Sequence, residues 1–198
     1  RTVRLGIEAN GGYAQYVKVP AVNCHLIPDW MSFEEAAAIP LVFHTAWHCL
    51  VSRAHLKSVE TVLISAAGSG VGSAAIQVAR QLGARSLVTA GSDEKIARAK
   101  ELGADGGVNY NEQPQFSASI REMTNGHGED LIFDSIGAST WDEHFKCLKP
   151  GGRLINCGVT GGHKASIHIG RLFTQGLTIL GSGERSRREF VEFMELVH

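Results

Sequence analysis

Residues 63–75 read LISAAGSGVGSAA: an aliphatic run enters a cluster of glycines, and a helix of small residues follows. A strand that feeds a glycine-rich turn into a helix aims free backbone N–H groups, and the positive helix end, at an anion. The chemistry such a loop performs is phosphate binding. In the dinucleotide fingerprint G-x-G-x-x-G the first glycine makes the turn and the second lets a pyrophosphate approach the backbone. The third lets the helix pack on its strand. With Gly72 as the third glycine, the first two positions fall on Ala67 and Ser69, beside Gly68 and Gly70. With Gly68 and Gly70 as the first pair, Ser73 takes the third position. Both registers are open. A structural turn or an S-adenosylmethionine loop would look similar; the strand before, the helix after and a second βα unit favour a dinucleotide.

The end of the second strand selects the cofactor. An acid there would bind the 2′-hydroxyl of an NAD ribose. The sequence instead reads VTAGSDEK, with Ala90 or Gly91 at the acidic position and Ser92 and Lys95 next to it. A small residue removes the repulsion a 2′-phosphate would meet, and a hydroxyl with an ammonium can bind it. NADP(H) is therefore expected in preference to NAD(H), which stays possible because Asp93 and Glu94 are adjacent. SDEK also reads as a helix cap with acids in the first turn, a role compatible with the other.

Other reactive residues carry less. His44 and His48 stand at i, i+4 on an expected helix, a spacing that suits zinc, but a third ligand and the HExxH glutamate are missing. They are expected to face a domain cleft or a subunit contact, and Cys49 to act as a small apolar core residue. His127 falls in a glycine turn, Met31, Met123 and Met194 are core filler, and ERSRRE at 184–189 is a solvated charged face. The four cysteines are scattered without a CxxC pair, which excludes a disulfide scaffold or thiolate zinc site and suits a reducing cytosol.

The elements that must position these residues follow from the pattern. Residues 12–28 alternate and are rich in Val, Tyr and Ile, predicting short strands. In MSFEEAAAIP, Ser32 and Glu35 form a capping box; Pro40 interrupts that helix and LVFHTAWHCLVSRAHL continues as another. From Glu60 strand and helix alternate: TVLISAA, a helix ended by Gly83, RSLVTA, a helix ended by Gly103, DLIFDSIG, the helix TWDEHFKCL closed by KPGG, then RLINCGV and LTILGS. Such alternation predicts an α/β doubly wound parallel sheet, a Rossmann fold. A net charge of −1 gives no electrostatic reason for nucleic acid or an anionic membrane as partner. No apolar run approaches the roughly eighteen residues of a membrane span. The chain opens at Arg1 inside a strand-like segment and closes inside the amphipathic FVEFMELVH, so it reads as a fragment.

The stretches GGYAQYVKVP, MSFEEAAAIPLVFHTAW, AAGSGVGSAAIQVARQLGA, TAGSDEKIARAKELGAD, NY, KPGGRLINCG and LTILGS, in this order, resemble the medium-chain dehydrogenase/reductases. The likeness is greatest to quinone oxidoreductases and bacterial zinc-type alcohol dehydrogenases, and it covers essentially the whole chain. It implies residues 1–30 as the remnant of a GroES-like catalytic domain and residues 31–198 as an NAD(P)-binding domain truncated at its C-terminal end. It implies an NADP(H)-dependent oxidoreductase that passes hydride between nicotinamide and an alcohol, carbonyl or quinone, the isolated fragment being inactive. Within the glycine loop, Gly68 and Ser69 flank Gly70, Val71 and Gly72, which would lie under the pyrophosphate and nicotinamide. Ser92, Lys95 and Tyr110 would contact the 2′-phosphate and adenosine, Thr45 the nicotinamide, and Gly158 and Val159 its carboxamide. Leu41 stands where zinc-dependent relatives often place a cysteine ligand, so no metal residue is assigned. The resemblance further implies a cytoplasmic homodimer joined along the Leu177–Ser182 edge strand. Two alternatives remain: a zinc-independent enoyl reductase module of a larger synthase, and a non-catalytic NADPH-binding or structural relative.

Overall fold

The computed structural model describes residues 5–196, and its contacts divide it into two units after Ala36. In the first unit the strands expected over 12–28 do not form. The chain there is irregular, with one 3₁₀ turn at Ala21–Asn23, and Tyr13, Tyr16, Val17 and Leu26 are exposed. Strands persist only when their N–H and C=O groups find partners, and no strand runs beside this segment among the described residues of the unit. The capping box does form. Ser32 Oγ accepts the Glu35 N–H at 3.2 Å, and Glu35 Oε2 accepts the Ser32 N–H at 2.9 Å, starting α1 (Phe33–Ala38).

In the second unit Pro40 opens α2 (Pro40–Trp47), where its missing N–H costs nothing, and the helix runs on as π-helical turns over His48–Arg53. Then β1 (Thr61–Ile64), α3 (Gly70–Gln81), β2 (Arg85–Ala90), α4 (Asp93–Leu102), β3 (Gly106–Asn109), α5 (Ser117–Met123) and β4 (Glu129–Asp134) alternate. They are followed by α6 (Trp141–Cys147), β5 (Leu148–Asn156), α7 (Ile169–Thr174), β6 (Thr178–Gly181) and α8 (Arg187–Met194). The strands form one parallel sheet in the order β3-β2-β1-β4-β5-β6. This is the doubly wound order: successive strands are added outward on one side of β1 as far as β3, then on its other side from β4.

Side chains alternate between the two sheet faces. Val62, Ile64, Val88, Leu131, Phe133 and Ile155 join α3 and α4 in one core cluster. Leu63, Leu87, Ile132 and Leu154 join Phe116, Ile120 and Phe145 in the other. Each fully buried aliphatic side chain contributes about 1.5–3 kcal/mol. The repeated LGA closes both α3 and α4: Gly83 (φ +73°) and Gly103 (φ +118°) take the left-handed conformation, and Ala84 and Ala104 return N–H bonds to Ala79 and Ala99. No helix among the described residues is long and apolar enough to cross a membrane.

Candidate functional site

The crevice at the carboxyl ends of the strands, where β1 and β4 part, gathers most of the residues singled out in the sequence. Ser69 caps α3, its Oγ accepting the Gly72 N–H at 3.0 Å. The N–H groups of Gly70 and Val71 point out of the helix end with no acceptor inside it. A Cβ on Gly72 would stand 2.4 Å from the Ala66 carbonyl oxygen. Gly72 is thus the glycine that lets the helix close onto its strand, which decides the register: Ala67 and Ser69 hold the first two fingerprint positions. Ala66 takes the turn instead, with φ +53°, and its carbonyl accepts the Ser69 N–H at 2.8 Å.

The ends of β2 and β3 face this loop. Ser92 caps α4, its Oγ accepting the Lys95 N–H at 3.3 Å, so the capping role of SDEK is realised. The Lys95 stem lies over Gly68, where a Cβ would approach its Cδ to 2.9 Å. The Tyr110 hydroxyl lies over Gly91, 3.0 Å from a Cβ built there. Asp93, which follows Ser92, accepts a 3.3 Å hydrogen bond from the side chain of Asn109. Gly68, Gly91, Ser92, Lys95 and Tyr110 therefore form one continuous wall. A hollow of about 310 Å³ opens beside Tyr110, lined also by Pro114, Phe116 and Ile136.

Across the switch point, Gly158 and Val159 follow β5. A Cβ on Gly158 would stand 2.4 Å from the Ser135 carbonyl oxygen, so this crossing admits only glycine. The residues that hold it carry no local signal in the sequence. Asp134, fully buried, accepts N–H bonds from Ile136 and Gly137 at 2.9 and 3.1 Å and the Asn156 amide at 2.8 Å. Asn156 also donates to the Gly158 carbonyl at 2.8 Å. His144, at 3.5 Å from Asp134, is buried, and burial pushes its imidazole down to about 4, so it is neutral near pH 7.

Thr45 is buried on α2, one turn beyond Val42, which touches Gly70. Its hydroxyl donates to the Leu41 carbonyl at 2.7 Å and accepts from Arg185. The run at 184–189 is accordingly more than a solvated face. Ser186 and Glu189 form a capping box for α8, Arg185 reaches inward to Thr45, and Glu189 binds His48 Nδ1 at 2.7 Å. Against partial burial, hydrogen bonds from Ser52, Ser186 and His48 hold the Glu189 carboxyl down to about 2. His44 packs on Phe190 and Phe193. Both histidines thus face α8 of their own unit, a contact that spacing on α2 alone could not reveal. Cys49 is fully buried as expected, in the core cluster against which Cys157 packs. Met123 is exposed, because it ends α5 at the edge of the sheet.

Among the described residues no group of three or more His, Cys, Asp or Glu side chains could hold a metal ion. Leu41 is exposed and has no ligating atom. The described side chains do not make a zinc site.

A family model described as zinc-binding dehydrogenase matches residues 70–198. The quinone oxidoreductase of Salmonella typhimurium is 34% identical over 84% of this chain and 50% of its own length. A reducing polyketide synthase of Cochliobolus heterostrophus is 34% identical over 78% of this chain, which covers 6% of that protein. Among solved structures, an NAD-dependent alcohol dehydrogenase superposes with a TM-score of 0.92 at 41% identity, over 98% of this chain and 56% of its own. A mycobacterial protein complexed with NADPH superposes with a TM-score of 0.77 at 32% identity, over 83% of this chain and 51% of its own. The chain spans about half the length of the dehydrogenases and oxidoreductases it matches.

Proposed function

Because the chain belongs to the zinc-binding dehydrogenase family, within the medium-chain oxidoreductases, we propose that its crevice holds NADP(H) in preference to NAD(H). The whole protein would transfer hydride between that cofactor and an alcohol, carbonyl or quinone. The observation that carries the reading is the wall formed by Lys95 over Gly68, Ser92 at the α4 cap and Tyr110 over Gly91. It offers a cation and a hydroxyl, with no free acid, where the adenosine ribose of a bound dinucleotide would fall. The relative complexed with NADPH supports the same choice.

In this reading the Gly70 and Val71 N–H groups and the α3 dipole bind the pyrophosphate, and Lys95 neutralises the 2′-phosphate. The hollow beside Tyr110 takes the adenine. Gly158 and Val159 take the carboxamide end, held in place by Asp134 and Asn156. The nicotinamide supplies the hydride chemistry; the chain supplies position and charge. Zinc has no role that these residues support.

Fluorescence titration with NADPH and NADH tests the reading. NADPH should bind more tightly, and Lys95→Ala should weaken NADPH by about 10–100-fold, the scale of one charge-assisted hydrogen bond, with little change for NADH. Equal affinities, or a preference for NADH, would sink it.

A second reading is favoured by the polyketide synthase relative: an enoyl reductase module acting on acyl thioesters. Reduction of a crotonyl thioester, but not of a quinone, by the whole protein would select it. For assembly, β6 pairs only with β5 among the described residues, and its outer edge suits a second copy of this chain. Sedimentation as a monomer would count against that pairing.

A further inference from the structure

On the β5–β6 side of the crevice, across the switch point from Lys95, a second cation is held in place. Directly after β6 the Ser182 N–H donates to the Asn156 carbonyl at 2.9 Å, so the chain leaves the sheet beside the end of β5. Arg53 Nε secures the same turn through the Gly181 carbonyl at 3.3 Å. At the other end, Ser186 and Glu189 close the capping box of α8, and Glu189 binds His48 Nδ1. Residues 183–185 are thus a strap fixed at both ends, from which Arg185 donates to the buried Thr45 hydroxyl. Thr45 lies one turn beyond Val42, which packs over Gly70, and Asn156 holds the Gly158 carbonyl. The Arg185 guanidinium therefore stands between the α2 wall and the end of β5.

We propose that Arg185 makes the crevice discriminate between the two oxidation states of its cofactor, holding the reduced nicotinamide and shedding the oxidised one. The inference rests on the cofactor reading above and deepens it. It assigns the protein to the reductive direction, with a carbonyl or quinone, rather than an alcohol, as the substrate class.

The argument is one of charge. With the pyrophosphate on Gly70 and Val71 and the adenosine on the Lys95 wall, the other half of the dinucleotide runs toward Gly158 and Val159, past Thr45. Its ring carries a positive charge when oxidised and none when reduced. A guanidinium keeps its proton at any working pH, so it repels only the oxidised ring. Glu189 is engaged with His48 and Glu192 with Arg188, and neither cancels the Arg185 charge. Arg185 is exposed, so water and salt screen the repulsion, which sets the scale at about three- to tenfold in affinity. The two cations then read different features of one ligand, Lys95 the 2′-phosphate and Arg185 the charge of the ring. Such a crevice refills with reduced cofactor even as the oxidised form accumulates.

The test is calorimetric titration of the chain with NADPH, NADP⁺ and adenosine 2′,5′-bisphosphate, which lacks the nicotinamide half. Wild type should bind NADPH more tightly than NADP⁺. Arg185→Gln should tighten NADP⁺ and narrow that ratio by about three- to tenfold. Arg185→Lys, which keeps the charge, should preserve the ratio, an outcome that a purely structural role for the side chain would not give. The bisphosphate should bind all three chains alike and so reports that the variants are folded. A ratio unchanged in Arg185→Gln, or NADPH and NADP⁺ altered by the same factor, overturns the inference and leaves the cofactor reading standing. A wild-type chain that binds none of the three ligands overturns the cofactor reading, and the inference falls with it.

Discussion

The Lys95 side chain lies across Gly68 so closely that a single added Cβ would come 2.9 Å from its Cδ. One glycine of the loop therefore makes room for the only cation in the wall that follows β2 and β3. Another, Gly72, makes room for backbone, 2.4 Å from the Ala66 carbonyl. The two glycines serve different ends, and substitution separates them.

Gly72→Ala meets a backbone atom that cannot step aside. It should cost about 1–3 kcal/mol, the usual scale of overpacking, and lower the melting temperature. Gly68→Ala meets only the flexible end of a lysine. It should melt near the wild type yet lose NADPH affinity more than NADH affinity, because the displaced ammonium leaves the 2′-phosphate. Equal melting temperatures for the two variants would contradict the assignment of roles.

Glu129 opens β4 fully buried, with neither carboxylate oxygen partnered among the described residues. Burial raises its carboxyl to about 7. Between the unfolded value near 4.5 and the folded value near 7, the folded chain keeps a proton that the unfolded chain releases. Its contribution to stability therefore falls as pH rises through that window, by about 3 kcal/mol in all. His144 runs the other way: with a folded value near 4 against 6.5, it removes stability as pH falls through its own window. Glu129→Gln should gain most over the wild type above pH 7 in urea unfolding and approach it near pH 4. A difference between the two that does not vary with pH would refute this.

Asp134 and Asn156 hold the far side of the crevice. Asp134→Ala leaves the Asn156 amide and two loop N–H groups short of an acceptor in a buried setting. The expected cost is about 1–3 kcal/mol for each group that water does not reach. Asn156→Ala removes the link to Gly158 while leaving the Asp134 loop bonds in place, so it should weaken binding of both nucleotides alike. Selective loss of NADPH alone would place the effect at the phosphate instead. Titration of the two variants with each nucleotide distinguishes these outcomes.

How much of this was legible beforehand depends on the range of the interactions. The glycine loop, the Ser92 cap, both LGA helix ends and the capping box at Ser32 depend on residues within five positions of one another. Local steric and hydrogen-bonding rules are enough to read them. The continuous apolar strands and their alternation with helices likewise announce a doubly wound sheet. The short β3 and the six-residue α7 carry too few residues for a period to show. The strands expected over 12–28 failed for the converse reason: alternation states which face a strand would show, not whether a partner exists.

By itself, then, the sequence determined the sheet, its glycine turn and the lack of an acid at Ala90–Gly91. The tertiary structure decided which glycine packs the helix, that Lys95 reaches Gly68, and that Asp134 and Asn156 hold Gly158. It also turned Arg185 inward to Thr45 and set Glu189 on His48. Each of these joins residues far apart in the chain. Only closure of the sheet and packing of α2 and α8 bring them within a few ångströms, and no local period records that distance.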